Sequence, residues 1–139
     1  MRKRNSNSKK FTKKIGLPPG SLVHVGEQRT EDVIIEFFSY DENSYIEKRL
    51  EKVENCKEFI DAGKSFWLNI DGLHDVSIIE KAGKIFNLHP LLLEDILNTN
   101  QRIKIQDYGD YIFIVLKMIY YPKKNEDYIT EQLCIVLGK

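Results

Sequence analysis

The sequence predicts an α/β domain: a sheet of mixed parallel and antiparallel strands with helices packed against it. Three observations carry this. Residues 32–40, DVIIEFFSY, are rich in β-branched and aromatic side chains and read as an early strand. Three stretches in the middle of the chain, at 53–60, 76–86 and 92–97, carry apolar residues at helical spacing. Three further strand candidates close the chain at 102–108, 111–121 and 128–137. Helices between early strands and a final meander fit a sheet whose strands run in both directions.

Residues 1–16 are polar, basic and aperiodic, and are expected to be a disordered tail, with the folded domain occupying 17–139. The segment Leu17-Pro18-Pro19-Gly20 is a rigid break followed by a turn. Residues 45–53 show no clean alternation. Val53, Cys56, Phe59 and Ile60 then form a helical stripe that ends near Gly63. Residues 65–73 read as a buried strand, with Trp67 expected in the core and a turn at Asp71-Gly72. His74 opens the next helix, with Asp75 in its electropositive first turn and Val76, Ile79, Ala82 and Phe86 on its buried face. Asn87 tolerates the left-handed conformation that closes such a helix, and Leu88 can fold back as the apolar contact after it.

A shorter helix follows at once. Pro90 suits the first helical position, since its φ is preset and its missing N–H would have had no partner. Leu92, Leu93, Ile96 and Leu97 make one apolar stripe, and Leu91, Glu94, Asp95 and Asn98 lie off it. Glu94 and Asp95 are therefore adjacent carboxylates on a helix whose other side is pinned to a core. Without context they read as solvated surface acids. After them, Gly109 turns the chain between two strands, and residues 122–125 turn it into a long antiparallel hairpin.

The chain has 139 residues, 21 basic and 21 acidic. The zero net charge hides an asymmetry. Seven bases and no acid lie in the first fourteen residues, leaving 14 bases against 21 acids in the body. The basic arm could attract an anionic membrane surface or nucleic acid, but no aromatic residues interleave with its lysines, and a solvating tail is the preferred reading. Cys56 and Cys134 have no metal-type spacing and sit in apolar patterns, so buried reduced thiols are expected. No apolar run approaches the about 20 residues a spanning helix needs, and no secretory signal follows the basic N-terminus. Glycine-rich phosphate loops, HExxH and CxxC are all absent, and His24, His74 and His89 are scattered.

Residues 87–104 tie these observations together. HPLLLEDILN, then Gln101-Arg102, then Lys104, resembles the cytosolic domain of CorA-type magnesium transporters. FWLNIDGLH at 66–74, DYIFIVLKMIYY at 110–121 and EQLCIVLGK at 131–139 fit the same family in the same order. The resemblance covers roughly residues 30–139. One departure is visible: the family usually has proline after the Gln-Arg pair, and this chain has Ile103. The resemblance implies an α/β/α sandwich with an edge strand at 45–53. It also implies a homopentamer on the cytoplasmic side of the inner membrane, without nucleic-acid binding or enzymatic activity. Mg²⁺ would be the main ion, with Co²⁺ or Ni²⁺ as others, and a regulatory Mg²⁺ site would lie between subunits. That site carries over to Asp95, with Glu94 beside it, and the opposing carboxylate would come from the stalk helix of the next subunit. The stalk and the Gly-Met-Asn pore are not in this sequence, which reads as a piece of a longer protein, itself soluble. Two alternatives stay open: a zinc transporter of the same superfamily, and a free-standing metal-dependent hydrolase using Glu94, Asp95 and Asp71.

Overall fold

The computed structural model describes residues 16–28, 30–121 and 128–138. The expected tail, apart from Gly16, and the turn at 122–125 lie outside the described residues. The elements run β1 (Ile34–Tyr40), β2 (Tyr45–Leu50), a 3-10 helix (Val53–Glu58), β3 (Ser65–Asp71), α1 (Val76–Ile85), α2 (Pro90–Leu97), β4 (Lys104–Asp107), β5 (Tyr111–Tyr120) and β6 (Ile129–Gly138). Among the described residues no helix is long and apolar enough to cross a membrane.

The α/β class is borne out, but strand direction differs in detail from the expectation. The strands form two separate three-stranded sheets, ordered β2-β1-β3 and β4-β5-β6, and every pairing within them is antiparallel. The short β1–β2 and β4–β5 connections allow only antiparallel pairing, and β3, running the same way as β2, pairs antiparallel on the other edge of β1. The long crossover through α1 and α2 leads from one sheet into the other, so it joins no parallel pair. Among the described residues the isolated bridge Val25–Asn98 is the parallel contact. The second helical layer of a sandwich is likewise not among the described residues. One face of β4-β5-β6 packs on α2. Its other face presents Ile105, Ile112, Leu116 and Leu137, all exposed.

Two cores hold the fold. Ile35, Phe37, Leu50, Val53, Cys56 and Ala82 form the first, and Ile79, Leu92, Leu93, Leu97, Phe113 and Val115 the second. Helix α1 supplies Ala82 to one and Ile79 to the other, and Ile70 of β3 packs against both. Asp75 caps α1 rather than lying inside its first turn, accepting from the Ser77 backbone N–H at 3.0 Å. The α1–α2 junction follows the sequence reading. Asn87 has φ 51°, and the Leu88 N–H reaches back to the Gly83 carbonyl at 2.8 Å, closing the helix with a left-handed cap. Gly83 permits the helices to touch, since a Cβ there would overlap Leu93 Cδ1.

Three expectations are corrected. Trp67 is 47% exposed rather than in the core. It pairs with Phe38, while the core residue Phe37 pairs with Leu68, so strand alternation turns the indole to the opposite face. Residues 65–71 are exposed or half-buried because β3 is an edge strand. Ile60 is 37% exposed. The segment before it is a 3-10 helix with three residues per turn, which aligns Val53, Cys56 and Phe59 and leaves Ile60 off the stripe. The expected edge strand at 45–53 is present as β2.

Leu97, fully buried, is expected to cost about 3 kcal/mol when replaced by alanine, read from urea unfolding. The β1–β2 turn offers a pH test. Asp41 accepts from the N–H groups of Asn43 and Ser44 at 2.7 Å each and from Lys64 Nζ at 3.2 Å. The Asn43 N–H foremost, then the Ser44 hydroxyl at 2.9 Å and Lys64, lower its pKa from 3.8 to about 2. A depressed folded-state pKa stabilises the fold above the unfolded value, and that contribution disappears as pH falls through the folded value. The gap in thermal midpoint between wild type and Asp41→Asn should therefore be widest above about pH 4 and close towards pH 2.

Candidate functional site

The site is built on α2. His89 caps the helix, its Nδ1 accepting from the Leu91 N–H at 3.2 Å, and Pro90 takes the first position. The His89 N–H donates to the Tyr111 hydroxyl at 2.9 Å, tying the start of α2 to the start of β5. At the other end the Val25 N–H donates to the Leu97 carbonyl at 2.9 Å and the Thr99 N–H to the Val25 carbonyl at 3.0 Å. Leu92, Leu93 and Leu97 are buried and Leu91 is exposed, as the stripe requires.

Glu94 and Asp95 leave this helix in different directions and meet different partners. Glu94 Oε2 accepts from the Gly20 N–H at 2.8 Å, in the Pro-Pro-Gly turn far upstream in sequence. Asp95 is held from both sides. Its Oδ1 accepts from Gln101 Nε2, and its Oδ2 pairs with Lys104 Nζ at 2.5 Å. The Asp95 and Lys104 side chains are 23% and 30% exposed, so the pair sits at the rim, neither fully wet nor sealed. The same ammonium lies 3.3 Å from Gln106 Oε1 and 5.4 Å from the centre of the Phe113 ring.

Asp71 does not join this pair. It lies at the end of β3 beside Gly72, whose φ of 99° marks the turn expected there. A cleft of about 1630 Å³ runs between the outer edges of β3 and β6. Asp71, His24 and His74 line it, but Glu94 and Asp95 do not. Among the described residues no three His, Cys, Asp or Glu side chains are grouped to hold a metal. Asp95 thus offers one carboxylate on a rigid mount. That suits a hydrated Mg²⁺, which is content with one or two carboxylates, and does not suit a closed catalytic metal cage.

Sequence reasoning missed the partners of these acids. Lys104 lies nine residues beyond Asp95 and on a strand, so no helical spacing points to the pair. A second polar cluster was also illegible. Lys117 Nζ donates to the Thr99 carbonyl at 2.8 Å and to Gln132 Oε1 at 3.1 Å, and Gln132 Nε2 donates to Cys134 Sγ at 3.4 Å. Burial pushes the Lys117 ammonium below its ordinary pKa and the Cys134 thiol up to about 11.

Residues 63–139 match the family model described as CorA-like Mg²⁺ transporter protein. The cobalt/magnesium transport protein CorA of Thermotoga maritima is 40% identical over 131 residues, which is 94% of this chain. The match spans 37% of that relative's length.

Both cysteines are free. Cys56 is fully buried, and burial raises the pKa of both thiols, so thiolate is scarce at neutral pH. Labelling by a disulfide reagent at pH 7.5 should be slow in the native protein and fast in denaturant. Rapid native labelling of both residues would contradict this packing.

Proposed function

Because the chain belongs to the CorA-like Mg²⁺ transporter family, we propose that it is the cytosolic regulatory domain of a divalent-cation transporter for Mg²⁺ and Co²⁺. In this reading it assembles as a homopentamer at the cytoplasmic side of the membrane, and Asp95 is a regulatory ligand at the boundary between subunits. The observation that carries the reading is the mounting of Asp95. A partly exposed carboxylate projects from a helix fixed by buried leucines and is held by the neutral Gln101 amide and the Lys104 ammonium of its own chain. Such a group can exchange partners without disturbing the core beneath it.

Bound Mg²⁺ would supply charge neutralisation between acids on neighbouring subunits. Without it, Asp95 and the acid opposite repel, and the ring loosens towards a conducting state. An ion shifts that equilibrium only by its differential affinity for the closed and open forms, so several sites around a ring act additively on the gate. Glu94 is the weaker contributor, since its donor is the backbone N–H of Gly20, a fixed part of the fold, whereas the donors to Asp95 are side chains.

Two measurements test this. Titration calorimetry of the 139-residue chain should give millimolar affinity for Mg²⁺ or weaker. Micromolar binding would mean a complete ligand set within the chain and would defeat the intersubunit model. In a full-length protein carrying this domain, millimolar Mg²⁺ should slow proteolysis. Asp95→Asn should blunt the protection without lowering the thermal midpoint of the domain by more than a few degrees, and Glu94→Gln should blunt it less. Undiminished protection in Asp95→Asn would remove Asp95 from the site.

A further inference from the structure

Asp95 is already neutralised by its own chain. Lys104 Nζ sits 2.5 Å from Oδ2, and Gln101 donates to Oδ1, so both oxygens are engaged before any metal arrives. The two donors differ in kind. Gln101 is neutral and orients the carboxylate, whereas Lys104 places a full positive charge where a metal ion would bind. Asp95 is not the sole partner of Lys104. Gln106 Oε1 at 3.3 Å and the face of Phe113 at 5.4 Å already adjoin the ammonium where it stands and would remain to it once Oδ2 is taken. With side chains 23% and 30% exposed, the pair is wet enough for the ammonium to detach readily.

We propose that Lys104 is a tethered cation that competes with Mg²⁺ for Asp95 and thereby sets the ion concentration at which the site fills. The inference rests on the reading of Asp95 as a Mg²⁺ ligand and adds the residue that tunes it. Two effects act in the same direction. The ion must displace the ammonium from Oδ2, and the displaced ammonium, still on its strand, continues to repel a divalent charge nearby. Removing Lys104 lifts both, so the carboxylate should bind the ion more tightly, roughly three- to ten-fold for a partly exposed pair.

The experiment is a Mg²⁺ titration of the 139-residue chain at constant ionic strength, followed by NMR through the side-chain amide of Gln101, which touches Asp95. The half-saturation concentration should fall by the stated factor in both Lys104→Met and Lys104→Gln. In Lys104→Arg, which keeps the charge, it should stay within about two-fold of wild type. Thermal midpoints of the three variants establish that each is folded. Unchanged half-saturation in Lys104→Met and Lys104→Gln, with the response lost in Asp95→Asn, would overturn the competition and leave Asp95 as the ligand. Weaker binding in those two variants would also overturn it, by making Lys104 a positioning residue for the carboxylate. A response that survives Asp95→Asn would remove the underlying site and this proposal with it.

Discussion

Leu92, Leu93 and Leu97, buried against Phe113 and Val115, fix the position of α2 on the sheet β4-β5-β6, and the rest of the site follows from that contact. A helix of eight residues has little stability of its own, so tertiary packing must hold it. Each buried leucine contributes about 2 kcal/mol of transfer free energy. Gly83 lets α1 close on Leu93, and the Tyr111 hydroxyl and Val25 backbone tie down the two ends. A helix clamped on one face and at both termini has no freedom to roll. The acids on its other face are held in place by a hydrophobic contact that neither of them joins.

The ionic layer above that core obeys a different economy. A carboxylate buried with its ammonium would be costly to separate, since each charge would be left desolvated. One fully in water would be worth little and would orient nothing. Asp95 and Lys104 lie between these limits, with side chains 23% and 30% exposed. Gln101 keeps one oxygen aimed, while the other is held by a partner that can leave. A fixed carboxylate direction is thus combined with a partly solvated counter-charge, and the packing of α2 makes it possible.

The helical and turn chemistry was legible in the sequence because it is local. Asn87 at φ 51°, Pro90 at the first helical position, the leucine stripe and the Asp71-Gly72 turn are dictated by residues within a few positions of one another. Sheet architecture was less legible. The face on which Trp67 sits depends on its pairing with Phe38, far away in the chain, and the periodicity of residues 65–71 does not reveal that β3 is an edge. Ile60 was misplaced by a small change of pitch, three residues per turn in place of 3.6. At the site, the two acids could be read and their partners could not. Gly20 and Lys104 reach Glu94 and Asp95 across a turn and a strand that only the folded chain brings together.

Adjacency in sequence also misleads about the acids themselves. Neighbours on a helix diverge by about 100°, so a Glu-Asp pair is a poor chelate however acidic it looks. The structure shows the consequence. Glu94 turns to the Gly20 N–H and helps anchor the N-terminal turn, while Asp95 turns to Gln101 and Lys104. The pair divides into one acid bonded to a backbone N–H far upstream and one paired with a side-chain cation. Among the described residues nothing completes a metal's inner sphere around Asp95. Any ion that binds there must keep most of its water or draw a further ligand from beyond those residues. Mg²⁺, which dehydrates reluctantly and accepts a single carboxylate, meets the first condition with less loss than a softer metal would.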